Sequence, residues 1–265
     1  MRKSQPDKAS LVPTAATRCL WLIALGACAL AGGCASANSV DPFEKSNRFM
    51  YNVNDGFDAV VLKPLSVVYV AVFPKPIRDG LGNAFNNLRY GNVIANDFLQ
   101  GKMQQGLGDL GRMAANSTIG IGGLLDVATP MHLPAHDNDF GTTLALWGVG
   151  QGDYLVLPIV GSSTVRDAPG LAVDYATYPL AWVNVPLAAA IPLDVTETAD
   201  ARARGDVLMR FRNEAALDPY VFTRTAYLQY RENLIHPGKP APADQDLYNI
   251  DDTPPATQPA TGPSK

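Results

Sequence analysis

Ala59-Val60-Val61-Leu62-Lys63-Pro64-Leu65-Ser66-Val67-Val68-Tyr69-Val70-Ala71-Val72-Phe73 is the stretch on which the reading of the fold turns. It is strongly apolar, yet shorter than the roughly 20 residues a helix needs to cross a hydrocarbon core. Lys63-Pro64 also breaks it, because proline lacks a backbone donor and its ring crowds the carbonyl four residues back. Leu180 to Leu193 has the same character, interrupted by Asn184, Pro186 and Pro192. Short, broken apolar segments read as buried helices or as helices lying in a bilayer interface, with burial the default. No run after Cys34 reaches 18 uninterrupted apolar residues, so a conventional spanning helix is not expected.

The flanking sequence is also helical in pattern. Asp41-Pro42 suits a helix start, with Asp as cap and Pro at the first position. Phe43, Asn47, Met50 and Asn54 then share one face, with Phe49, Val53 and Phe57 on an adjoining one. Pro76 opens a second run, in which Ile77, Leu81, Phe85 and Leu88 recur at helical spacing and Val93 to Leu99 continue it. Lys102 to Ala115, Asp139 to Leu146 and Val195 to Asn233 are further helices, the last interrupted at Asp218-Pro219. Tyr154 to Val160 fits a short strand confined to an edge by Pro158. β-branched alternation is too sparse for a large sheet, so the class is mainly α, with little or no sheet.

The N-terminus gives the address. Arg2, Lys3, Lys8 and Arg18 precede the apolar run Leu20 to Leu30, and Leu30-Ala31-Gly32-Gly33-Cys34 ends it. That layout is a secretory signal with a lipoprotein-type cysteine, although Ala31 stands where Leu is usual. Residues 1–33 read as the signal peptide, and Cys34 as the lipidation site. Several acyl chains make such an anchor stable where one does not. Ala35, rather than Asp, after the cysteine resembles the outer-membrane sorting pattern. Residues 34–40 then form a lipidated linker and 41–235 a single helical domain. Residues 236–265, with seven of the chain's 21 prolines, form a tail too polar to order itself.

The three cysteines are Cys19, Cys28 and Cys34. Two leave with the signal and one carries lipid, so no thiol remains for a disulfide, metal or nucleophile. About 230 residues are left, enough for one core. The full chain carries a net charge of −4, and loss of its basic signal makes it more acidic. This argues against general nucleic-acid binding and against charge-driven binding to anionic lipid.

Candidate chemistry is thin. His132, His136, Asp137 and Asp139 form one metal-like grouping, but Pro134 spoils helical i,i+4 ligand spacing, and a polar loop is the plainer reading. Gly161-Ser162-Ser163-Thr164 lacks the nucleophile elbow GxSxG and reads as a helix cap. Gly120-Ile121-Gly122-Gly123 is a turn and not a phosphate loop. No metal, no cofactor and no catalytic residue is expected. Trp147, Tyr154, Tyr175, Tyr178 and Trp182 suit either a membrane–water interface or ordinary packing.

A series of short blocks carries a resemblance. They are Asp41-Pro42-Phe43-Glu44, Asn47-Arg48-Phe49-Met50-Tyr51-Asn52-Val53-Asn54, Lys63-Pro64, Leu99-Gln100-Gly101 and Asn116-Ser117-Thr118-Ile119-Gly120. Gly122 to Asp126, Asp139 to Leu144, Gly148 to Tyr154, Gly161 to Asp167 and Asp218-Pro219-Tyr220 follow in order. Together they resemble the MlaA (VacJ) family of outer-membrane lipoproteins, over nearly the whole folded part. Val53 stands where family members often have Phe, and Ser162 where they often have Pro.

The resemblance implies a helical ring with an amphipathic central channel, embedded in the periplasmic side of the outer membrane. It also implies passage of misplaced outer-leaflet phospholipid to a soluble periplasmic lipid-binding protein, and association with a trimeric porin. Asn47, Arg48, Tyr51, Asn52 and Val53 would form a channel-gating hairpin, and Gly148, Gly150 and Gly152 a flexible loop near the channel. Two other readings stand beside it: a scaffolding lipoprotein that binds porins or cell wall, and a periplasmic lipid hydrolase, which would need a converging nucleophile and base.

Overall fold

The structure is a computed structural model, and it describes residues 41–179 and 187–238. Cys34, the signal, most of the C-terminal tail and the Leu180 to Pro186 part of the second apolar stretch, with Trp182, lie outside the described residues.

Helix α1 spans Glu44–Phe57. Asp41 is buried just before it and takes the Phe43 amide at 3.2 Å and the Asn47 side-chain amide at 2.9 Å. The helix therefore begins two residues beyond Pro42, with Asp41 bracing its first turn rather than serving as its cap. Asn47 to Val53 all lie within this one helix, so they form no hairpin. With neither Pro nor a positive-φ residue between Glu44 and Phe57, nothing in the chain turns there.

Pro64 does not break the following stretch either. A π-helical turn at Asp58–Leu62 joins α1 to α2, Lys63–Val72, and the Lys63 amide bonds back five residues to the Asp58 carbonyl. The wider turn gives the proline ring room where a tight α-turn would clash.

Phe73 is extended, and α3, Lys75–Leu99, starts with proline in its first turn. Its 25 residues give a rod roughly 37 Å long. A turn at Gly101, φ 74°, reverses the chain into α4, Met103–Thr118. The two helices come close at Gly106, where a Cβ would sit 2.9 Å from the Phe98 ring. Arg112 on α4 organises the long loop that follows, donating to Leu133 O (2.6 Å), Thr129 Oγ1 (3.1 Å) and Asp126 Oδ2 (2.7 Å).

Asp139 and Thr142 form a capping box on α5, Phe140–Leu146. Strands β1, Tyr154–Leu157, and β2, Gly161–Thr164, pair antiparallel with Tyr154 opposite Thr164. Pro158 falls in the turn between them, where it costs no ladder bond. The stretch 161–164 is thus a strand and not the expected helix cap, although Thr164 Oγ1 accepts the Asp167 amide at 3.1 Å. That residue opens α6, Asp167–Thr177.

Helices α7, Leu187–Arg204, α8, Asp206–Ala215, and α9, Pro219–Ile235, complete the described chain. Asp218 caps α9 through the Tyr220 and Val221 amides. The last helix closes on the first: Arg48 reaches Asp218 at 2.7 Å, and the Tyr220 hydroxyl donates to Asp41. The architecture is mainly α with one small sheet among the described residues.

Burial runs opposite to that of a water-soluble domain. A small apolar cluster forms around Tyr154, Val156 and Tyr220, packed by Met50, Tyr51, Val221, Tyr227 and Leu228. Elsewhere the interior is polar: among the described residues, buried polar and charged side chains outnumber buried hydrophobic ones. Apolar side chains of α2 face outward instead, with Val67 at 61% and Val72 at 62% exposure.

Candidate amphipathic lipid site

A cavity of about 360 Å³ lies where the π-turn and α2 meet the end of α7 and α8. Part of the lining is charged. Arg202 grips Asp58 through two nitrogens, the second contact 3.1 Å long, and reaches Asp206 at 3.1 Å. Arg210 also binds Asp206, at 3.0 Å, and Arg212 binds Asp55 at 2.6 Å. The hydrogen bond to Asp58 pushes the Arg202 pKa further up, so this guanidinium stays charged. Every carboxylate of the lining, Asp55, Asp58 and Asp206, is thereby matched by an arginine. Lys63 is exposed and adds a cation without such a match, so the lining is net positive.

The rest of the lining is mostly apolar: Ala59, Val67 and Val70 from the π-turn and α2, Ala203 from α7 and Met209 from α8, with Ser66 and Asn213 as the polar exceptions. The π-turn sets this arrangement, because it places Asp58 and Ala59 at the junction while α2 carries its valines onward. Such a cavity suits a molecule that is charged at one end and greasy at the other. Its volume lies at the lower end of small-ligand sites. A polar head would fit within it, with apolar chains lying along the exposed valines of α2.

The sequence-predicted residues divide into two groups. Asn47 is fully buried and clamps β1, donating to Tyr154 O and accepting from the Val156 amide, both at 2.9 Å. Asn54, two turns on, does the same for the strand turn through Leu157 O (2.8 Å) and the Ile159 amide (2.8 Å). Arg48 lies over the Tyr220 ring at 4.5 Å while it binds Glu44 and Asp218. Tyr51 meets Tyr220 edge-on and lies beneath Arg212, 5.5 Å from the guanidinium. Arg212 thus links Tyr51 to the cavity wall. Asn52 and Val53 are exposed on α1 and do not line the cavity.

Gly148 and Gly152 have φ of 91° and 65°, and Gly152 packs so close that a Cβ would lie 2.8 Å from Val165 Cβ. Gly150 has open space around it. None of the three lines the cavity. His136 turns Nδ1 onto buried Asp109 at 3.0 Å, and no metal-like group of His, Cys, Asp or Glu gathers among the described residues. Reading the sequence missed Arg202, Arg210 and Arg212. A signal existed in the Arg202, Asp206, Arg210 series, spaced i,i+4 with alternating sign.

Comparison with known proteins gives a consistent family. The profile described as MlaA lipoprotein matches residues 39–234. The chain is 36% identical over 248 residues to the intermembrane phospholipid transport system lipoprotein MlaA of Escherichia coli strain K12, covering 86% of this chain and 96% of that one. It is 32% identical over 243 residues to the protein of the same name from Haemophilus influenzae, covering 87% and 96%. A chain solved in work on the structural basis for maintenance of bacterial outer membrane lipid asymmetry superposes with a TM-score of 0.64 at 32% identity. That match covers 75% of this chain and all of the solved one. On a profile match across most of its length and relatives similar from end to end, this chain belongs to the MlaA lipoprotein family.

Proposed function

We propose that this protein removes mislocalised phospholipid from the outer leaflet of an outer membrane and passes it toward a periplasmic carrier, so maintaining lipid asymmetry. The observation that carries the reading is the cavity lined both by ion-paired arginines of α7 and α8 and by valines of α2. A phospholipid has that same pairing of charged and apolar parts, and moving it breaks no covalent bond. The names of the relatives, phospholipid transport system lipoproteins, support the substrate class.

The four valines exposed between residues 67 and 72 of α2 support a seat in the bilayer, since clustered exposed apolar side chains mark a membrane or partner contact. Among the described residues no helix is long and apolar enough to cross a membrane. The body therefore lies in one side of the bilayer as a ring around the lipid path, and acylated Cys34 tethers it. Helices satisfy their own backbone groups, as a hydrocarbon environment demands. The trimeric porin and the soluble lipid-binding protein are the partners this reading assigns, on the family resemblance.

Deleting the gene tests it. Phospholipid should then accumulate at the cell surface and detergent resistance should fall, and the native gene should restore both. A Val67→Asp, Val70→Asp double variant, made and anchored normally, should not restore them. An outer leaflet free of phospholipid in the deletion strain would sink the transport reading.

A further inference from the structure

The end of α7 points into two cavities. Arg202 faces the one described above. Arg204 faces a second, of about 250 Å³, bounded by α3 and α7, and Ala203 lines both. In the second cavity Lys75 pairs with Asp79 at 2.7 Å. Arg204 pairs with buried Asp200, which also accepts the Tyr69 hydroxyl at 3.0 Å. Both acids are therefore matched. Arg78 is left over: it is half-buried, its side chain makes no hydrogen bond or ion pair among the described residues, and its Nε is shielded from solvent without an acceptor. A shielded guanidinium N–H without an acceptor is costly and calls for one.

The cavity is shaped to bring a second guanidinium near. Gly82 lies one turn along α3 from Arg78, on the same face, and the Arg204 guanidinium occupies the place a Cβ at Gly82 would fill. Glycine thus lets Arg204 press against the helix that carries Arg78. Planar guanidinium forks suit phosphate oxygens better than a point charge does.

We propose that this second cavity binds the phosphate of a phospholipid head group, with Arg78 as the principal donor, as a station next to the larger cavity. The proposal rests on the transport reading of that larger cavity. The excess charge falls on Lys63 in one cavity and on Arg78 in the other, and Ala203 is shared. Each cavity thus offers a phosphate one cation that no carboxylate matches among the described residues.

The test uses the full acylated chain in nonionic detergent, titrated calorimetrically with three probes: dihexanoyl phosphatidylglycerol, dihexanoylglycerol and inorganic phosphate. Arg78→Gln should weaken the phospholipid about ten- to hundredfold, as expected for loss of a charge-assisted contact, and leave dihexanoylglycerol unchanged. Arg78→Lys should keep part of the affinity and guards against a folding defect in the first variant. Phospholipid affinity within twofold of wild type for a normally melting Arg78→Gln overturns the second station. Inorganic phosphate binding as tightly as the phospholipid also overturns it, since the site would then hold a free anion. The deletion strain tests transport separately, so an unaffected Arg78→Gln in a protein that still clears phospholipid removes this station alone.

Discussion

The neighbourhood of Asp167 and the outer face of α2 are built on opposite principles. Asp167 is buried, yet it takes Arg166 Nε at 2.8 Å, the Tyr227 hydroxyl at 2.9 Å and Arg231 Nη2 at 3.2 Å. Burial alone would raise its pKa, but Arg166 and Arg231 hold it below the usual carboxylate value. Arg231 also binds Asp139, the cap of α5, and Gly141 packs against both Arg231 and Asp167. On α2, by contrast, Val68 and Val72 project outward, and Val67 and Val70 stand exposed at the open cavity. A domain living in water would reverse this assignment. In lipid, apolar side chains gain little by meeting each other, because the acyl chains are as apolar as they are, and polar pairs between helices must fix the fold. The difference teaches that charge holds the interior together while the apolar side chains of α2 are left for whatever surrounds it.

The hardest blow to that contrast falls on the interior. Arg231→Met leaves buried Asp167 with one guanidinium and the partly exposed Asp139 with none. Breaking a buried pair from one side costs roughly 3–5 kcal/mol. Thermal unfolding followed by circular dichroism in detergent should show a larger drop for this variant than for Asn47→Ala or Val68→Asp. A shift of only a degree or two would mean that the interior is wetter than its burial implies.

This region was also the least legible in the sequence. Helical spacing put Asn47 and Asn54 on one face, and the structure keeps them there. Their partners on and beside β1 lie over 100 residues away, however, and no local pattern points to them. Arg231 and Asp139 are separated by 92 residues for the same reason. Pro64 was legible as a disturbance, but whether a helix stops or widens to a π-turn depends on what packs beside it, here Arg202 on Asp58. The caps at Asp139 and Asp218 could be read because capping is local chemistry. Ser162 and Ser163 looked like a cap for want of a strand signal, and their pairing with Leu155 and Val156 is a tertiary fact. The cavity was invisible from sequence because it lies between segments about 140 residues apart.

The exterior can be broken with less damage to the fold. Val68 is 59% exposed, so Val68→Asp should leave the melting temperature in detergent nearly unchanged. Placing a carboxylate in hydrocarbon costs about 2.5–3.5 kcal/mol. In a Cys34→Ala background, where no acyl chain holds the protein, flotation with phosphatidylethanolamine and phosphatidylglycerol vesicles should fall about a hundredfold when Val68→Asp is added. Equal flotation of the two proteins would mean that the valine face does not enter the bilayer.

A smaller effect concerns acids that the interior tolerates poorly. Burial, then the hydrogen bond shared with Asp109, pushes Asp97 up to about 6, and burial likewise pushes Asp174 up to about 6. Each binds its proton more tightly folded than unfolded. Their contribution is complete below the unfolded value of about 3.8 and is lost as pH rises through 6. Asp126, Asp167 and Asp218 are shifted down, so their contribution changes only below the ordinary carboxylate range. Between pH 4 and 6.5 stability should therefore decline with rising pH, by on the order of 1 kcal/mol per group. Asp97→Asn should flatten that slope, because an amide carries no charge and can donate to Asp109. A slope unchanged in the variant would place the titration elsewhere.

The last contrast lies within α1, between Asn47 and the exposed Asn52 and Val53, and sharpens the comparison most. Asn47 holds both a carbonyl and an amide of β1, so Asn47→Ala should cost about 1–3 kcal/mol by leaving them unsatisfied. Asn52 and Val53 lie on the exposed side of the same helix, and Asn52→Ala or Val53→Ala should move stability by under about 0.5 kcal/mol. Any loss of phospholipid clearance in those two variants cannot then be charged to folding. Full clearance by both would make α1 a strut that carries the strands and Arg212, with the lipid path lying on the α2, α7 and α8 side. Reduced clearance at an unchanged melting temperature would extend the path across the exposed face of α1, giving this helix one face for holding the protein together and another for the lipid.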